Sequence, residues 1–155
     1  MRHWIVATAF LAAGALGAEA QCLAPSNQAA LTASVEEGVN EMRQAAGLRP
    51  YASEARLAQA AQGHACDMAQ NGFFGHQGSN GSNSHRRVQQ TGFRTCLTAE
   101  NIAWGFRDPA RIVSGWMTSP GHRQNILLDR ADSAGVGVAE GADGPVWVLV
   151  VSRRC

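Results

Sequence analysis

The chain has 155 residues, 45% of them hydrophobic and 16% charged, with a formal net charge of +1; that suffices for one domain with a proper core. A charge so near zero excludes the basic face of a nucleic-acid binder, and no nucleic-acid partner is expected. All thirteen basic residues are Arg, which excludes lysine Schiff-base and general-base chemistry, because a guanidinium keeps its proton at ordinary pH.

The N-terminus reads as a secretory signal peptide over residues 1–20. Met1, Arg2 and His3 give a positive start, Ile5 to Leu16 is apolar and small, and Ala18-Glu19-Ala20 fits an A-x-A cleavage site. The apolar run falls short of the about 20 residues that cross a bilayer. No later stretch qualifies, so the protein is not expected to be integral to a membrane. Gln21 stands before Cys22, where lipid attachment wants a small residue. Residues 21–155 are expected to form a single domain, periplasmic or extracellular, and monomeric. Its four cysteines, Cys22, Cys66, Cys96 and Cys155, imply two disulfides in an exported chain. Sequence alone permits three pairings. Cys66–Cys96 and Cys22–Cys155 is the favoured set, since the second bridge would tie the two ends together.

A first helix is predicted from about Asn27 to Ala46, with Leu31, Val35, Val39 and Met42 on one face; Gly47 and Pro50 stop it. A second runs from Ser53, a good N-cap, to about Gln70, burying Leu57, Ala61, Ala65 and Met68. Residues 75–84 are mostly Gly, Ser and Asn, a loop by composition. Ser84 is expected to cap a short helix ending at Gly92, and Leu97 to Trp104 to form a strand. Asp108-Pro109 is a strong helix start, and Ser119-Pro120-Gly121 breaks that helix. Gly121 there suits a positive φ. Ala134 to Glu140 alternates Val with Gly, residues 141–144 make a turn, and Val146 to Val151 is a continuous apolar run. These form a β-hairpin with one strand buried on both faces. Helices first and strands later give an α+β class, helices packed on a small antiparallel sheet.

Three stretches place titratable residues beside apolar or loop-forming neighbours: Phe73-Phe74-Gly75-His76, Ala99-Glu100-Asn101-Ile102-Ala103, and Gly115-Trp116 through Ser119-Pro120-Gly121-His122-Arg123 to Asn125-Ile126-Leu127. In these stretches and their order, in Ala65 to Ala69, and in Gly135-Val136-Gly137-Val138, the chain resembles bacterial CAP-domain proteins, the group of cysteine-rich secretory proteins, antigen 5 and pathogenesis-related 1. The likeness covers most of the chain from about Val35 to Val151. It implies a three-layer α-β-α sandwich around a mainly antiparallel sheet. It also implies a polar cleft of histidines and acids that in some relatives holds a divalent metal. His76, Glu100 and His122 match cleft positions, with Asn101, Ser119 and Arg123 as support. Eukaryotic members carry a second cleft glutamate where this chain has Ser119, and a second cleft histidine near the last strands, where this chain has none.

Two neutral imidazoles and a carboxylate are the ligand set of open zinc sites. Alternatively, Glu100 accepts hydrogen bonds from the histidines and the trio holds loops onto the sheet. Elsewhere, His64 reads as a packed core histidine and His85 as exposed. Trp104, Trp116 and Trp147 read as core. Ser114 or Ser119 with His122 and Glu100 suggests a hydrolytic triad, but the G-x-S-x-G elbow is missing. The leading functional expectation is a non-catalytic binding module for a lipid or another apolar ligand in a groove between helices. The alternative is a metal-dependent hydrolase using His76, Glu100 and His122.

Overall fold

The computed structural model describes residues 22–155; the expected signal peptide lies outside them. The elements in chain order are α1 (Gln28–Ala45), β1 (Ala52–Ser53), α2 (Ala55–Asn71), α3 (Ser84–Gln90), β2 (Thr95–Trp104), α4 (Pro109–Thr118), α5 (Pro120–Ile126), β3 (Ser133–Gly141) and β4 (Gly144–Arg154). The sheet order is β1-β3-β4-β2. β4 pairs antiparallel with both β2 and β3, whereas the two-residue β1 pairs parallel with β3.

The continuous apolar run in β4 has the cause the sequence suggests: both faces are covered. Val146, Val148 and Val150 point towards α2, and Trp147, Leu149 and Val151 towards the opposite helices. The α2 side adds Leu57, Ala61, Ala65, Met68, Val88 and Phe93 to the first set. The α1, α4 and α5 side adds Val35, Val39, Ile112, Val113, Trp116 and Ile126 to the second. The result is an α-β-α sandwich.

On β3 the alternation of Val with Gly sets the spacing of the layers. Val136 and Val138 enter the α1–α4 core. Gly135 and Gly137 face α2, where an added Cβ would fall on the backbone of Ala58 and Gln62, far inside contact distance. The close approach of helix to strand requires glycine at both positions.

Several local expectations are corrected. The cap of α2 is Glu54, whose carboxylate accepts from Arg56 N at 3.2 Å. Ser53 is instead drawn into the parallel pairing of β1 with β3, so its backbone is extended. Asn83 rather than Ser84 caps α3, accepting from Arg86 N at 2.9 Å. Asp108 and Pro109 start α4 as expected, but Ser119-Pro120 then opens a further helix, α5. Gly121 therefore has ordinary helical φ, and its Cβ would meet nothing within 4 Å. Trp116 and Trp147 are core, but Trp104, at the end of the edge strand β2, is half exposed.

The two disulfides exist, with a different connectivity: Cys22–Cys66 and Cys96–Cys155. The register of β2 on β4 pairs Thr95 with Arg154, so the start of β2 and the end of the chain lie side by side. Cys155 N also bonds to Arg94 O at 3.0 Å. At the other end, Glu140 N bonds to Leu23 O at 2.7 Å, which lays residues 22–23 along β3 beneath α2 and brings Cys22 to Cys66.

Candidate functional site

β2 is an edge strand, so groups from the two faces of the sheet meet around it. Successive residues point to opposite faces, and this divides Glu100 from Asn101. Glu100 turns towards α2 and α3. Asn101, on the other face, donates to the His122 carbonyl at 3.0 Å and accepts from Asn125 at 2.9 Å. Asn125 also donates to the Glu100 carbonyl at 3.2 Å. The C-terminal end of α5 is held by Arg43, a buried guanidinium that donates to the Ile126, Leu128 and Arg49 carbonyls. Arg43 stacks 3.5 Å from the centroid of the Tyr51 ring.

Around the Glu100 carboxylate the chain assembles an ionic centre. Its side chain is only 2% exposed. Oε2 accepts from Arg87 Nη2 at 2.6 Å, and Oε1 accepts from His76 Nδ1 at 2.9 Å. His64 Nε2 stands 3.8 Å from Oε1 and donates to the Gly75 carbonyl at 2.8 Å, holding the residue before His76 against α2. Arg87 completes the arrangement through the Ser82 and His76 carbonyls. A buried carboxylate needs partners of this kind. The His76 side chain is 59% exposed.

The three histidines are driven apart in basicity. His76 is raised above its ordinary 6.5, first by its hydrogen bond to Glu100. His64 is lowered, first by burial, which outweighs the attraction of Glu100. His122 is lowered, first by burial and then by the charge of His76. His76, Ser84, Glu100 and Asn125 line a common cleft of about 550 Å³.

The sequence thus located the carboxylate and one histidine that touches it. It missed Arg87 and gave His64 no role beyond packing, although His64 is fully buried and belongs to the same centre. A histidine on a helix's buried stripe requires a polar partner, and that was the available signal. Arg87 stands in a polar segment with no such mark. The His122 ring makes no hydrogen bond among the described residues; its backbone, not its side chain, is tied to Asn101. Ser119 is the N-cap residue of α5 without a side-chain bond. Arg123 borders a groove beside α4 instead. His85 is half-buried, 3.3 Å from the Thr98 hydroxyl.

The donors do not fit a divalent cation. Both Glu100 oxygens are engaged, and the Arg87 guanidinium already supplies the positive charge at the carboxylate. Among the described residues, no group of three or more His, Cys, Asp or Glu is arranged to hold a metal ion.

On the opposite face, α1 crosses α4 at Gly38, where an added Cβ would meet Val113 Cγ2 at 3.2 Å. Beside the crossing runs a groove of about 790 Å³, with Met42, Val113 and Met117 among its walls and Glu37, Glu41, Asp108 and Arg123 also bordering it. No helix among the described residues is long and apolar enough to cross a membrane.

Comparison with known proteins agrees with this architecture. Residues 37–151 match the family described as CAP, the cysteine-rich secretory protein family. YkwD of Bacillus subtilis is 34% identical over 124 residues, covering 80% of this chain and 48% of that protein. The chain thus spans about half the length of that relative. Among solved structures, an extracellular protein containing an SCP domain from Bacillus anthracis superposes with a TM-score of 0.75 at 27% identity, covering 82% of this chain and 41% of that one. An outer surface protein of Borrelia burgdorferi shares the fold, with a TM-score of 0.70 at 21% identity, over 78% of this chain and 90% of that one.

Proposed function

From the premise that the chain belongs to the CAP, or cysteine-rich secretory protein, family, we propose that it is an exported, non-catalytic binding module whose α1–α4 groove takes an apolar ligand. The observation that carries this reading is the groove itself. At about 790 Å³ it lies within the range of about 300–1,000 Å³ usual for small-molecule sites. Its apolar part is supplied by Gly38, Met42, Pro109, Val113 and Met117. Glu37, Glu41 and Asp108 outnumber Arg123 around it, so a ligand with an uncharged polar head is favoured over a carboxylate. The two disulfides and the extracellular B. anthracis relative support export.

The ionic centre enters this reading as a positioning device. It clamps the residue 75–83 loop and α3 onto β2 and leaves only His76 reaching solvent. The test is direct binding of a fluorescent long-chain alcohol and the matching fatty acid to the oxidised protein. The alcohol should bind saturably and more tightly than the acid. Ser114→Trp, an exposed groove position, should weaken it at least tenfold without lowering Tm. Wild-type affinity in that variant would remove the groove from consideration.

A further inference from the structure

We propose that the aromatic cavity beside the β3–β4 turn is a site for a compact, weakly hydrated organic cation, a methylated ammonium group of the choline type. The cavity measures about 190 Å³ and is bordered by Gly72, Phe74, Trp104, Asp143 and Val146 among others. It is smaller than the usual whole-ligand site of about 300–1,000 Å³, so it suits a single head group. None of its residues borders the α1–α4 groove or the His76 cleft.

The first argument is that two aromatic side chains beside it are left half in solvent. Phe74 is 51% exposed and Trp104 50%. The other two described tryptophans, Trp116 and Trp147, are buried, and their indole N–H groups donate to the Ile102 and Phe106 carbonyls. The Trp104 indole makes no hydrogen bond among the described residues. Phe73 packs against the α2 core, whereas Phe74 meets Trp104, with ring centroids 6.4 Å apart and planes inclined by 44°. That mutual contact still leaves both rings open to a guest. An aromatic face attracts a cation through its quadrupole, and tryptophan does so best.

The second argument is the sign of the charge. Asp143 makes no hydrogen bond or ion pair among the described residues, unlike nearby Glu140, which is paired with Arg107. Its turn is fixed against the residue after Trp104. Gly105 N donates to Pro145 O at 3.0 Å, and an added Cβ at Gly144, whose φ is +121°, would meet Gly105 Cα at 3.1 Å. Met68, Ala69 and Gly72 bring the last turn and cap of α2 to the same cavity. The carbonyls of a helix C-terminus favour cations, and this helix has no basic residue in its last turn to meet them. No Arg or His is among the described residues bordering the cavity.

The wall also selects the kind of cation. A hard ion such as calcium takes six to eight oxygen ligands, and one carboxylate does not supply them. A primary ammonium is strongly hydrated and would leave its N–H donors unanswered against aromatic carbon. A methylated ammonium has no such donors to satisfy and spreads its charge over its methyl groups, which ring faces can cover.

The test titrates the oxidised, ¹⁵N-labelled protein with choline chloride, using sodium chloride at equal ionic strength as the reference. Choline should produce saturable shifts at the Trp104 indole N–H and at the Gly72 and Asp143 amides, and sodium chloride should not. Trp104→Ala should weaken binding at least tenfold, followed at the Gly72 amide, and Trp104→Phe should recover part of the loss. Asp143→Asn, at an exposed turn position that asparagine also suits, should weaken it at least threefold with Tm unchanged. Phosphatidylcholine vesicles then sort two sources of the group: vesicle binding that choline competes away places it on a lipid, and choline binding without it places it on a free solute. Absence of a saturable choline response, an equal response to sodium chloride, or full affinity in either Trp104→Ala or Asp143→Asn would each overturn the proposal.

Discussion

The two faces of the sheet are packed by opposite means. On the α2 face the helix backbone lies directly on the strand, glycine against helix, and the rim of that contact is an ionic centre with every Glu100 oxygen engaged. On the α1–α4 face large side chains such as Trp116, Trp147 and Leu149 fill the space, and a groove remains beside the helix crossing. The first face has almost no freedom to adjust and holds the polar chemistry. The second leaves open space beside the helix crossing, which suits the proposed apolar ligand.

The sharpest way to break the contrast is Glu100→Ala. It would leave Arg87 as a buried cation without its anion, and the loss should be about 3–5 kcal/mol, read by denaturant unfolding. A loss under about 1 kcal/mol, the range of exposed pairs, would show that the centre is solvated after all. Next comes Gly137→Ala against Gly38→Ala. The first drives a methyl into the Gln62 backbone and should cost about 3 kcal/mol. The second meets only a Val113 methyl at 3.2 Å, which can yield, and improved helix propensity offsets part of the strain, leaving about 1 kcal/mol or less. Equal melting temperatures for the two variants would erase the difference between the faces.

The smallest effect is in pH, and its signs are opposed within one centre. His76 is raised in the folded state by Glu100, so its contribution is fully present below its unfolded value near 6.5 and fades as pH rises through the folded value. His64 is lowered by burial. Its contribution is present above the unfolded value and fades as pH falls through the folded one. NMR titration should give a His76 midpoint above 6.5 and a His64 midpoint below it. In Glu100→Gln the His76 midpoint should fall back, and one that stays raised would assign its cause elsewhere.

Local pattern carried most of the architecture. The stripe of Leu57, Ala61, Ala65 and Met68, the Asp108-Pro109 start and the doubly buried run of β4 each depend on neighbours in sequence, and each stands where periodicity placed it. What escaped depends on partners far along the chain. Ser53 loses its capping role to its pairing with Ala134. Cys22 pairs with Cys66 because Leu23 is bonded to Glu140. Glu100 and His76 were legible because short motifs surround both, whereas Arg87 gains its meaning only when α3 is laid over β2.

The bridges have a mechanical consequence. Cys22 is fastened to α2 and Cys155 to the start of β2. A pull applied at residue 155 is therefore carried covalently into β2 and does not peel β4, an interior strand, out of the sheet. A pull at residue 22 enters α2 in the same way, through the turn after His64. With the bridges intact, tension between these two points loads the contact of α2 with the sheet, where glycine and helix backbone already touch. With both bridges reduced, the same tension unzips β4 from its free end. Stretching single molecules before and after reduction should therefore change the order in which the elements yield, as well as the length released.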